Sequence, residues 1–152
     1  MWKNTEKSRP SPRADDRSWL RLLPHRYPFL MVDRVVDLQP GKEIIALKQV
    51  SAGEDSGGRD PSPHAFSLPL IAEAMAQAAS IVATSASREG STPGGFYAAI
   101  KQMRIFREPR VGEELCLRMK LLHQFGGLFE FQGEAKIGEE LVGEGQLVFR
   151  LS

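Results

Sequence analysis

From Leu68 to Ala86 nearly every side chain is small or apolar, and only Glu73 and Gln77 interrupt the run strongly. A helix lying on a surface shows one apolar stripe, so a stretch that is apolar on all sides predicts a helix enclosed by protein. Its alanines favour helix and allow a neighbouring element to approach closely. Ser67 stands where an N-cap is expected, and Pro69 falls in the first turn, where a missing N–H costs little. The helix should run from Ser67 towards Ser87, about 30 Å for some 20 residues. Glu73 and Gln77 are four apart and share a face. A carboxylate enclosed there must be paired, neutralised or in use.

Around this helix the chain reads as strands. Ser18 to Leu23 predicts a short helix ended by Pro24, and the apolar run Phe29 to Leu38 predicts a first strand. Gln39-Pro-Gly-Lys makes a turn, and Glu43 to Val50 returns as a second strand. Ser51 to Phe66 is rich in Gly, Pro, Ser and Asp, a loop of a length that in compact domains is usually functional or mobile. Four more strands are expected after the helix: Phe96 to Phe106, Glu113 to His123, Leu128 to Ile137 and Leu141 to Leu151. Alternation is plainest where Phe129, Phe131, Gly133 and Ala135 interleave with Glu130, Gln132, Glu134 and Lys136. Two strands, one long helix and four strands are segregated, which predicts an α+β fold with an antiparallel sheet wrapped around one helix. Residues 1–16 are polar and charged and read as a flexible tail, leaving 17–152 as a single domain.

Bulk properties narrow the function classes. Twenty basic and 19 acidic residues are scattered along the chain for a net charge of +1, so no basic patch argues for nucleic acid. One cysteine, Cys116, excludes an intramolecular disulfide and reads as a small core residue rather than a nucleophile. Pro69, Glu73, Gln77 and the Ala/Ser content argue against the long helix spanning lipid, and the N-terminus lacks the apolar core of a secretory signal. A cytoplasmic protein with no membrane partner is expected. No metal-binding cluster stands out, and neither a metal nor a tightly held cofactor is expected.

Several motifs carry a resemblance. Leu23-Pro-His-Arg-Tyr-Pro-Phe-Leu-Met-Val-Asp-Arg-Val, Pro40-Gly-Lys, Ala46-Leu-Lys, Glu73-Ala-Met-Ala-Gln-Ala and Arg107-Glu-Pro-Arg-Val-Gly-Glu-Glu-Leu follow one another in order. Over roughly residues 20–151 the chain resembles the β-hydroxyacyl-(acyl carrier protein) dehydratases. The resemblance implies the hotdog fold, in which the sheet is the bun and the helix the sausage. It implies a homodimer formed by joining sheets, with higher oligomers or a heterodimer as variants, and acyl-thioester tunnels at the dimer interface. Acyl carrier protein or coenzyme A thioesters would be the partners, in fatty-acid or related acyl-chain biosynthesis.

The reaction so implied removes water from a 3-hydroxyacyl thioester. In the family a loop His acts at the C2 proton, a Glu of the central helix, from the partner subunit, serves the leaving hydroxyl, and backbone N–H groups near the helix start hold the thioester carbonyl. Glu73 matches that Glu and Gln77 its neighbour, with a structural acid paired to backbone or an arginine as the alternative. The His does not match: counted back from Glu73, the Gly-His-Phe-Pro loop falls on Gly58-Arg59-Asp60-Pro61. Arg59 stays protonated at neutral pH and cannot accept a proton, though it could bind an anion. The Met-Pro-Gly before the helix reads Phe66-Ser67-Leu68, which places the carbonyl-holding backbone at Ser67 and Leu68. His64, in the same loop, is the candidate substitute base, whereas His25 in the Pro-His-Arg-Tyr-Pro motif reads as structural and His123 as a turn residue. Three functions follow: a dehydratase with Glu73 as acid and His64 or water as base; a non-catalytic acyl-thioester or carrier-protein-binding subunit, such as half of a heterodimer; or a hotdog thioesterase in which Glu73 orients water.

Overall fold

The computed structural model describes residues 17–26, 29–51, 66–86 and 96–151. The expected tail and most of the expected loop, including Arg59 and His64, lie outside the described residues. A short 3-10 helix, Ser18–Leu22, precedes strands β1 (Arg34–Gln39) and β2 (Glu43–Gln49). Helix α1 (Leu68–Ser85) follows, then β3 (Phe96–Ile105), β4 (Glu114–Phe125), β5 (Leu128–Ile137) and β6 (Glu140–Leu151). All pairings are antiparallel, in the order β1-β2-β4-β5-β6-β3.

One strand begins later than the apolar pattern predicts. Residues 29–31 do not join the ladder, because their backbone groups are taken by a helix side chain described below. Pairing is approached at Asp33, whose N–H donates to the Leu47 carbonyl at 2.9 Å, and β1 opens at Arg34.

One face of the sheet packs on α1. Ile44 and Ala46 of β2, Leu115, Leu117 and Met119 of β4, Phe129 and Phe131 of β5, and Leu147 and Phe149 of β6 are buried against Ile71, Ala74, Met75, Ala78, Ile81 and Val82. Register breaks between Val35 and Asp37, Ile100 and Gln102, Leu121 and His123, and Ala135 and Lys136 add the local bends a sheet needs to curve around a helix. By length and composition α1 could cross a membrane; here the sheet buries it.

Glycines let the layers close. Gly133 and Gly145 face each other across β5 and β6. A Cβ on Gly145 would meet the Gln102 backbone carbonyl at 2.6 Å, whereas one on Gly133 would meet the flexible end of Met119 at 2.7 Å. Gly145→Ala must therefore move backbone and should cost about 1–3 kcal/mol, while Gly133→Ala costs less because a thioether can turn aside. Urea unfolding of the two variants checks this, and a Gly133→Ala loss as large as that of Gly145→Ala would refute it.

The β3–β4 connection is tied by Arg107, whose guanidinium donates to both Glu113 oxygens at 3.2 and 2.9 Å and to Glu140 Oε2 at 2.5 Å. The hydrogen bond from Arg107 holds the Glu113 carboxyl below its ordinary value, with burial opposing it. A depressed carboxyl contributes stability above its unfolded value, near 4.5, and loses it as pH falls through the lower folded value. Both side chains are partly solvated, so about 0.5–1 kcal/mol is at stake. Glu113→Gln should cost that much at pH 7, and the gap from wild type should close as denaturation is repeated at pH values below 4. A gap that persists there would exclude the linkage.

Cys116 sits in β4, and burial pushes its thiol up, which suits packing rather than nucleophilic chemistry.

Candidate active site

Every residue of α1 from Ile71 to Thr84 is buried except Glu73. The helix is thus enclosed as its composition predicts, but its single carboxylate is not: the Glu73 side chain is 48% exposed. That corrects the expectation of an enclosed acid. The carboxylate at the second turn of the helix reaches solvent, so no buried counter-charge is needed.

Gln77, one turn on, is fully buried and bonds in three directions. Its Oε1 accepts the Met31 N–H at 2.7 Å, and its Nε2 donates to the Phe29 carbonyl at 2.8 Å and to Glu73 Oε1 at 3.0 Å. The backbone donor at Met31 fixes which end of the amide is oxygen, so the NH2 must face Glu73. Spacing four apart on one helix face brings the pair together, as the sequence predicts.

The segment before β1 folds over the start of this helix. Leu23 is buried in the core, and Arg26 Nη1 donates to the carbonyls of Leu23 and His25, both at 2.7 Å. Phe29 and Leu30 donate backbone N–H groups to the Arg26 carbonyl at 2.8 and 3.1 Å. The result places His25 Nε2 3.6 Å from Glu73 Oε1, with the imidazole side chain 21% exposed. Among the described residues, the charged or polar neighbours of Glu73 shown are an imidazole and an amide.

The helix start has few free donors. Ser67 occupies the N-cap position in an extended conformation, but its side chain makes no capping bond. Leu70 and Ile71 both donate to the Ser67 carbonyl at 3.0 Å, and Pro69 has no N–H. Among the described residues no carbonyl accepts the N–H of Leu68, which is 40% exposed at the first helical turn. Phe66 just before it is fully buried, with the Lys48 ammonium 5.9 Å from its ring centroid. Lys48, itself buried, also lies 3.5 Å from Asp33, whose Oδ2 accepts the Gln49 N–H at 2.7 Å.

The structure brings together Glu73 and Gln77, and places Ser67 and Leu68 at the helix start; Arg59 and His64 fall outside the described residues. Sequence reasoning missed the approach of His25 to Glu73 and the burial of Lys48. The signal for His25 was its place two residues after a core leucine, in a segment that the Gln77 side chain ties to the helix.

No protein-family profile matches the chain. A 3-hydroxyacyl-[acyl-carrier-protein] dehydratase FabZ of Syntrophotalea carbinolica is 39% identical over 131 residues, covering 84% of this chain and 88% of its own length. The FabZ of Pasteurella multocida is 38% identical over 130 residues, covering 85% and 86%. Among solved structures, the dehydratase heterocomplex ApeI:P from Xenorhabdus doucetiae matches with a TM-score of 0.65 and 20% identity, over 88% of this chain and 90% of that one. The protein smu.793 from Streptococcus mutans, solved with acetyl CoA, matches with a TM-score of 0.63 and 15% identity, over 86% and 95%. The fold shared with these structures is the hotdog, one long helix against an antiparallel sheet.

Proposed function

The chain belongs to the FabZ family of 3-hydroxyacyl-[acyl-carrier-protein] dehydratases, and from that membership we propose that it eliminates water from 3-hydroxyacyl thioesters with Glu73 as the acid. The observation that carries this reading is the lone exposure of Glu73 on an otherwise buried stretch of α1, oriented by a fully buried glutamine. Gln77 and His25 both approach Oε1, so Oε2 is left to give its proton to the departing C3 hydroxyl. The Leu68 N–H at the positive end of the helix suits the thioester carbonyl, whose oxygen gains charge as the C2 proton leaves. Ser67 would line the same end, and the backbone there, rather than the serine hydroxyl, would do the holding.

Acyl carrier protein or coenzyme A would present the substrate, and a dimer joined through the free edge of β3 would complete the tunnel wall. Steady-state hydration of crotonyl-coenzyme A by the full-length protein tests the reading, because the reverse reaction uses the same groups. Turnover that saturates with substrate is expected.

A second reading is favoured by Arg59, which stands where the family's loop His is counted. The chain would then be the Glu73-bearing subunit of a dehydratase heterocomplex, completed by a partner's imidazole. Activity that appears only after mixing with such a partner would select it.

A further inference from the structure

We propose that His25 is the base of this site, so that acid and base belong to one chain as a His25–Glu73 pair. This rests on the dehydratase reading and on Glu73 as its acid. The two reacting positions of the substrate are adjacent carbons, so the group that takes the C2 proton and the group that serves the C3 hydroxyl must themselves be neighbours. His25 Nε2 and Glu73 Oε1 lie 3.6 Å apart, longer than a hydrogen bond and short enough for both to face one bound substrate.

The step balances with a single proton held by the pair. The imidazole Nε2 takes the C2 proton as the C2–H bond breaks, and that electron pair forms the C2–C3 double bond. The C3–O bond breaks as the Glu73 carboxyl gives its proton to the oxygen, and water leaves. Imidazolium and carboxylate then face each other, and the proton passes from Nε2 to Glu73 to restore the starting state.

The placement is built rather than incidental. Leu23 roots the segment in the core, and Arg26 clamps the backbone on both sides of Pro24 through the Leu23 and His25 carbonyls. Gln77 ties Phe29 and Met31 to the same helix turn that carries Glu73. Among the described residues, the charged groups on the elements next to the imidazole are Arg17 and Arg21 around the 3-10 helix, Arg26 on its own segment and Glu73 on α1. Arg26 is committed to carbonyls, which leaves Glu73 as the carboxylate facing His25. The imidazole is partly exposed and the carboxylate about half exposed, so both have access to solvent.

The test is crotonyl-coenzyme A hydration by the full-length protein and by His25→Ala, His25→Gln, His64→Ala and Glu73→Gln, each checked for folding by circular dichroism. Removing a base typically costs 100-fold or more. His25→Ala should lose about that much in kcat, and added imidazole should restore at least about tenfold, since a free imidazole can occupy the vacated space. Imidazole should not rescue Glu73→Gln. If His25→Ala does not fold, His25→Gln carries the test: its loss of turnover should come with loss of the acid-side limb of the pH–rate profile. Near-wild-type turnover in a His25 variant would overturn the proposal. So would a folded His25→Ala that imidazole does not rescue, a loss confined to His64→Ala, or a wild-type protein inactive without a partner. That last result would leave the heterocomplex reading standing. Wild-type turnover in Glu73→Gln would instead overturn the dehydratase reading of the site, whatever the His25 variants do.

Discussion

Glu73→Gln is expected to lower thioester turnover by about 100- to 10,000-fold, roughly 3 to 5.5 kcal/mol of barrier, while leaving the fold in place. The side chain keeps its shape and can still accept from Gln77 Nε2, now 3.0 Å from Oε1. It cannot give a proton to a departing hydroxyl, which would have to leave as hydroxide. Because Glu73 is about half exposed, replacing its carboxyl by an amide leaves no buried group stranded. Thermal unfolding should therefore match wild type closely, within about 0.5 kcal/mol. The measurement pairs kcat for crotonyl-coenzyme A hydration with a melting curve. A folded variant within threefold of wild type would remove Glu73 from the chemistry.

Gln77→Leu should show the complementary pattern, with stability and activity falling together. Leucine fills a similar volume in a site with no solvent exposure, so packing is nearly kept. What is lost is polar: the Met31 N–H loses its acceptor and the Phe29 carbonyl loses its donor. Each group left unsatisfied costs about 1–3 kcal/mol, so the variant should be destabilised by about 2–6 kcal/mol. Glu73 also loses the amide that orients it, and the segment carrying His25 loses its tie to the helix. Urea unfolding and kcat, read where the variant is still folded, check both halves. A stability loss under about 1 kcal/mol would mean that water replaces the amide and that residues 29–31 are not held by it.

How much of this was legible beforehand depended on how local each cause is. β5 was predicted from Leu128 to Ile137 and observed there, because alternation and Gly126 and Gly138 at its ends are carried within a few residues. The α1 core was legible for the same reason. Phe29 to Asp33 has the composition of a strand, yet its backbone partners include an amide on a helix far along the chain, a contact that apolar patterning cannot encode. The pairing of Glu73 with Gln77 followed from helical spacing. The exposure of Glu73 did not, because it depends on which distant segments lie beside that turn of the helix. The approach of His25 joins two distant segments and has no periodic signature at all.

The strand order also decides where the chain must spend its closure entropy. β4, β5 and β6 form a meander closed by tight turns. β2 and β3, successive strands separated by α1, belong to opposite flanks of that meander. The chain between β2 and β3, which contains α1, has to join one flank to the other. Two seams of distant partners, β2 on β4 and β3 on β6, therefore carry most of the loop-closing cost.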